Sequence, residues 1–293
     1  MLAELVQTKT KDGLTLEGLF FESKKRKAIV IWLGGLTSRL PDHVKRTQIL
    51  AETLNSLGVS FGIFEHRGSG IANIFKKEKN NKVGYTLAGS AYEKFTDSSL
   101  DIESFINFSK TRGYKKIFLL GHSTGANKLA YCIYKKQGRG LAGIGLLGPL
   151  SDVPDFKKSL GSKYQTTLKL AKKMVNNGRG DNLIPILEKK GKLWSAQRLV
   201  SIATELGKED TFPTYKQSPK FYWVKKIATP LLVLVGSRDQ YADLPIPKLF
   251  ARFKKEIPTN WFSGKIISGA DHSFNKREKE LAQEIAAWIK KII

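Results

Sequence analysis

The sequence predicts an α/β fold: a mostly parallel sheet covered by helices on both faces, with a helical segment inserted late in the chain. Three observations carry this expectation. Short apolar runs alternate with amphipathic helical stretches from residue 28 to 147, and again from residue 230 onward. Between residues 150 and 229 the alternation stops, leaving helical periodicity and no convincing strand. One apolar run, Ile117-Phe118-Leu119-Leu120, leads straight into Gly121-His122-Ser123-Thr124-Gly125 and then a helical stretch from Ala126.

Taken in order, residues 4–10 and 14–22 alternate around Lys11-Asp12-Gly13 and read as an antiparallel hairpin. Residues 28–33 are apolar throughout, which suits a central strand buried on both faces. Gly34-Gly35-Leu36-Thr37-Ser38 ends that strand in a loop. Residues 43–57 read as a helix with Leu50, Leu54 and Leu57 on one face and Gly58 as its stop. A strand at 59–64 runs into the loop Glu65-His66-Arg67-Gly68-Ser69-Gly70, and residues 71–94 are basic without a clear pattern. Thr96 or Asp97 caps a helix to about residue 111; a strand at 116–120, a helix at 126–136 and a strand at 141–147 follow. Residues 150–229 are too long for a connecting loop. Stripes such as Tyr164, Leu168, Ala171 and Val175 make them an inserted helical subdomain. The expected division is therefore a core of 1–149 plus 230–293, with 150–229 inserted. A strand at 230–236, a helix at 246–254, a strand at 261–267 and a helix at 277–292 complete the core.

A hydrophobic content of 41% over 293 residues is ample for a large core. Cys132 is the sole cysteine, which excludes an intrachain disulfide and argues against a cysteine metal site. Residues 1–5 lack a basic region followed by an apolar core, and no apolar run is long enough to span a bilayer, so a cytoplasmic location is expected. The net charge is +24, from 39 Lys and 11 Arg against 26 acidic residues. Nucleic-acid readers favour the bidentate Arg fork, so no specific nucleic-acid partner is expected. The Lys surplus is compatible with weak attraction to anionic surfaces.

A serine on a sharp strand-to-helix turn stands clear of its neighbours, but its hydroxyl needs a base, and the base an orienting acid. Of four histidines, His272 follows the strand at 261–267 and shares the strand-end edge of the sheet with Ser123; it is the expected base. His122 lies inside the turn and is expected to point away from Ser123. The acid is expected to be Asp239, after the strand at 230–235; Asp243 is the nearest alternative, and Asp271 reads as a loop-capping residue. The oxyanion of an acyl transfer needs two prepositioned N–H donors. Thr124 supplies one, and Leu36 or Gly35 the other. The inserted segment contributes aromatics (Trp194, Tyr215, Phe221, Tyr222, Trp223), of which Trp194, Tyr222 and Trp223 are the candidate substrate contacts. No two histidines have metal-ligand spacing and no phosphate loop is present, so neither metal nor cofactor is expected.

On these motifs the chain resembles the α/β-hydrolases over essentially its whole length. Glu65-His66-Arg67-Gly68-Ser69-Gly70 is similar to the Asp-x-Arg-Gly-x-Gly loop of many members, and Gly-His-Ser-Thr-Gly resembles the branch that includes fungal siderophore esterases. The resemblance implies an eight-stranded, mostly parallel sheet with a helical cap after strand six. It also implies serine-dependent hydrolysis of small-molecule esters or thioesters, with amides and a non-catalytic binding role as alternatives. Members often carry His-Gly where this chain has Gly34-Gly35; that histidine usually supports the oxyanion loop, so the rigidity of the loop is open.

Overall fold

The computed structural model describes residues 2–40, 42–136 and 139–293. Eight strands form one sheet in the order β1-β2-β4-β3-β7-β8-β9-β10, where β1 is Glu4–Lys9, β2 Thr15–Phe21, β3 Ala28–Leu33, β4 Val59–Phe64, β7 Ile117–His122, β8 Gly143–Leu147, β9 Leu231–Gly236 and β10 Phe262–Ile267. The pairs β1–β2 and β2–β4 are antiparallel, and all later neighbours are parallel. This is the α/β-hydrolase sheet.

The apolar runs are continuous because both faces of these strands are covered. In β3, Ile29, Ile31 and Leu33 enter one core cluster, whereas Ala28, Val30 and Trp32 enter the cluster on the opposite face. Strands β7 and β9 divide in the same way, as a period of two requires. Helix α1 (Val44–Ser56) and helix α9 (Glu278–Lys290) cover one face through Leu50, Leu54, Leu281, Ile285 and Trp288. Helices α2 (Ser98–Thr111), α3 (Thr124–Tyr134) and α8 (Ile246–Glu256) cover the other, through residues such as Phe105, Leu129 and Phe253.

Two features lie off this frame. Residues 71–94, unpatterned in sequence, contain a separate antiparallel hairpin of β5 (Asn73–Lys79) and β6 (Lys82–Ala88). Between β8 and β9 come α4 (Val153–Leu160), α5 (Tyr164–Asn176), α6 (Pro185–Glu188) and α7 (Ala196–Ala203). They share a cluster of their own that includes Phe156, Leu168, Leu187 and Leu199. Farther along the same segment, Phe212, Phe221 and Trp223 pack into the main core instead. Among the described residues no helix is long and apolar enough to cross a membrane.

Candidate active site

β7 ends at His122 and α3 begins at Thr124, so Ser123 alone makes the turn. Its backbone has φ 55° and ψ −127°, a region that residues with a side chain rarely adopt. Close packing holds it there. A Cβ on Gly121 would lie 2.4 Å from the Gly125 carbonyl oxygen, and one on Gly125 would lie 2.5 Å from that of Leu33. Glycine at both positions lets α3 start directly against β3. The Ser123 N–H donates to the Leu147 carbonyl at 2.9 Å, tying the turn to β8. Ser123 lines a cavity of about 580 Å³ together with Gly35, Leu36, Tyr241 and His272.

His272 and Asp239 stand on the loops that follow β10 and β9. His272 Nδ1 lies 2.8 Å from Asp239 Oδ2, and both side chains are buried. The other Asp239 oxygen accepts the Tyr241 N–H at 3.0 Å, and the His272 N–H donates to Gln240 Oε1 at 3.1 Å, so the two loops are stitched together. His122 stacks on Trp32 at 5.9 Å and places its Nε2 2.8 Å from the His272 carbonyl oxygen. Burial, with the nearby Arg46 charge, holds His122 well below the usual imidazole range. The ring is therefore neutral and its Nε2–H is the donor. Arg46 braces the loop from below, with its guanidinium over Trp32 and a 3.1 Å bond to the Ser273 carbonyl.

The loop after β3 approaches Ser123 so closely that a Cβ on Gly35 would stand 2.8 Å from Ser123 Cβ. His66 packs beside this loop. Its Nε2, buried and without a hydrogen-bond partner, would lie 3.9 Å from a Cβ on Gly34. Burial and the Lys128 charge hold His66 at about 3, so it is neutral. Its Nδ1 accepts from Lys128 Nζ at 3.0 Å and from the Gly68 N–H at 3.1 Å. Lys128, fully buried on α3, also pairs with Glu93 at 2.7 Å, and Glu93 pairs with Arg198 of α7 at 3.1 Å. Arg198 continues to Glu209 and donates from Nε to the Ser90 carbonyl at 3.0 Å. Burial alone would raise Glu93; the Lys128 and Arg198 charges outweigh it and hold the carboxyl at about 2. One buried chain of bonds thus links the loop after β4, the helix after Ser123 and the inserted segment.

The family described as "Protein of unknown function (DUF1749)" matches residues 14–293. The chain belongs to that family. No curated relative matches its sequence. Its fold is similar to that of a soluble variant of Saccharomyces cerevisiae monoglyceride lipase in complex with a substrate analogue (TM-score 0.67, 16% identity, covering 100% of this chain and 97% of that one). It is also similar to Est1E from Butyrivibrio proteoclasticus with bound ferulic acid (TM-score 0.66, 15% identity, 98% and 99%) and to the α/β hydrolase GrgF from Penicillium sp. sh18 (TM-score 0.65, 15% identity, 100% and 99%).

In this DUF1749 chain the other expected residues separate clearly. Asp243 faces Thr214, whose hydroxyl lies 3.0 Å from it, and does not meet His272. Asp271 accepts from the Asn275 backbone and side chain at 2.9 Å each and so caps its loop. Thr124 is buried at the first position of α3. Of the three candidate substrate contacts, Trp194 lines the cavity, against Phe156. Tyr222 and Trp223 are not brought to it: Trp223 is fully buried, stacked on Phe221 with its Nε1–H on the Thr211 carbonyl, and Tyr222 bonds the Lys208 carbonyl and packs on Tyr134. Their apolar character serves packing. Four residues of the site escaped sequence reasoning: Lys128, Glu93, His66 beside the loop after β3, and Asp152. The signal for Lys128 was available, a lysine on a helix whose neighbours Leu129 and Cys132 are apolar. Asp152 lines the cavity with one carboxylate oxygen buried and unpartnered; burial and the neighbouring Glu209 charge push it up to about 7.

Proposed function

We propose that the protein is a serine-dependent hydrolase of carboxylic esters, working through an acyl-enzyme on Ser123. The observation that carries this reading is the 2.8 Å contact of His272 with Asp239 on the wall of the cavity that the strained Ser123 also lines. With Nδ1 of His272 held by Asp239, Nε2 is the nitrogen that serves the reaction. It takes the Ser123 proton as Oγ attacks the ester carbonyl carbon. The charge that develops on the carbonyl oxygen is received by the N–H of Thr124, with the α3 dipole behind it, and by the N–H of Leu36 or Gly35. Collapse of the tetrahedral intermediate breaks the C–O bond, and His272 returns the proton to the leaving alcohol. A water, deprotonated by His272, then adds to the acyl carbon and frees the acid and Ser123. Asp239 holds the imidazole in the required tautomer and stabilises its charged form.

Residues 150–229 act in this reading as a cap. Asp152, Phe156 and Trp194 bring it to the cavity wall, and so it selects the acyl or alcohol part. That the bound species in Est1E is ferulic acid and that another neighbour is a monoglyceride lipase supports a carboxylic ester as substrate. The test is hydrolysis of aryl esters of graded acyl length. Wild type is expected to turn them over, with Ser123→Ala slower by at least about 10³-fold. A Ser123→Ala protein that keeps the wild-type rate contradicts the proposal.

A further inference from the structure

The β5–β6 hairpin carries a face that no other described part of the chain covers. Its register sets Ile74 opposite Leu87, Lys76 opposite Tyr85 and Glu78 opposite Val83. Side chains alternate across a strand, so these six share one face. Phe75, 5% exposed, marks the other face, which packs into the main core. On the outward face Ile74 is 69% exposed, Val83 59%, Tyr85 76% and Leu87 51%. Single exposed apolar residues are ordinary on a protein surface, but a contiguous group marks an interaction site. Lys76 lies within the face, while Lys79 and Lys82, of the opposite parity, stand at the turn that forms the hairpin tip, all exposed. The one acid of the hairpin, Glu78, is paired with Lys9 at 2.7 Å. Ile71 and Ser90, just outside the two strands, both line the cavity that holds Ser123, so the hairpin springs from the rim of that cavity.

We propose that this face docks on an anionic lipid surface, with Ile74, Val83, Tyr85 and Leu87 entering the headgroup boundary, Lys76 beside them, and Lys79 and Lys82 at the hairpin tip reaching the acidic headgroups from its edge. A basic surface with an apolar centre is the pattern that combines partial burial with charge attraction. A second copy of the chain fits poorly, since it would set these lysines against each other in a molecule of net charge +24. A nucleic acid fits poorly too, because aliphatic side chains give bases nothing to stack on and Tyr85 is the face's one aromatic. The inference concerns binding and does not depend on the esterase reading. Where that reading holds, docking sets the cavity mouth at the interface and makes lipid-borne esters the substrates within reach.

The test is co-sedimentation of the full chain with vesicles of phosphatidylcholine alone and of phosphatidylcholine mixed with phosphatidylserine. Wild type is expected on the anionic vesicles at low salt and about tenfold less at high salt, with little on phosphatidylcholine alone. The Tyr85→Ser/Leu87→Ser double variant is expected to bind about tenfold or more weakly, and Lys76→Glu/Lys82→Glu to fall to background. Thermal melting identifies any variant that fails to fold, and the wild-type salt dependence stands without them. Absence of binding at low salt overturns the proposal, as does anionic-vesicle binding that both folded double variants retain. A wild-type dimer in sedimentation velocity that these substitutions dissolve also overturns it, by assigning the face to a second copy.

Discussion

Ser123 is held in a strained conformation by close-packed neighbours, and Gly35 is the one that faces its side chain. Because a Cβ there would meet Ser123 Cβ at 2.8 Å and the His122 carbonyl at 3.1 Å, Gly35→Ala is expected to displace the loop and lower kcat by about 10²–10³-fold. Steady-state kinetics on an aryl ester, with a melting curve to show that the fold persists, checks this. Asp152 gives a second residue-scale expectation. Its carboxyl is pushed up to about 7, above its unfolded value, so the protonated acid contributes stability that is complete at low pH and lost as pH rises through about 7. The melting temperature of Asp152→Asn, measured relative to wild type, should climb between pH 4 and pH 7 and then level. A flat difference across that range contradicts this assignment. At this scale the sequence was informative about where Ser123, Asp239 and His272 meet, since each follows a strand and strand ends converge in a parallel sheet. It was uninformative about Tyr222 and Trp223, because an aromatic that fills a core and one that lines a pocket are written alike.

Elements join through the buried chain His66–Lys128–Glu93–Arg198. Lys128 stands one turn beyond Ser123 on α3, and Arg198 brings in α7. Removing one charge from such a group leaves its partner buried without compensation. Lys128→Met is expected to cost about 3–5 kcal/mol in urea unfolding, and adding Glu93→Gln should return part of it; an unchanged midpoint would remove the network from the account of stability. Where Gly34-Gly35 lacks a histidine, the ring packed beside that loop is His66, from the loop after β4. That placement was not legible, because it depends on β3 and β4 being neighbours in the sheet. The long apolar strands β3, β7 and β9 were legible because burial on both faces leaves no polar position to blur the pattern. The β5–β6 hairpin was not, because its apolar residues face outward and its lysines interrupt the alternation.

For the molecule as a whole, the order of Ser123, Asp239 and His272 along the chain matters less than their arrival at one edge of one sheet. The parallel order β3-β7-β8-β9-β10 brings the loops after β3, β7, β9 and β10 to a single cavity, and the segment between β8 and β9 forms part of its wall. The core was readable from strand–helix alternation. The inserted segment was readable as helical, but not where its aromatics would pack, since that depends on contacts far apart in the chain. The central claim is that Ser123 is the nucleophile of this assembly. Reaction of the folded protein with a fluorophosphonate, followed by intact-mass and peptide analysis, tests it most directly. One adduct is expected, on Ser123, absent from Ser123→Ala and strongly slowed in His272→Ala. No adduct on folded wild-type protein, or an adduct on another residue, would contradict it.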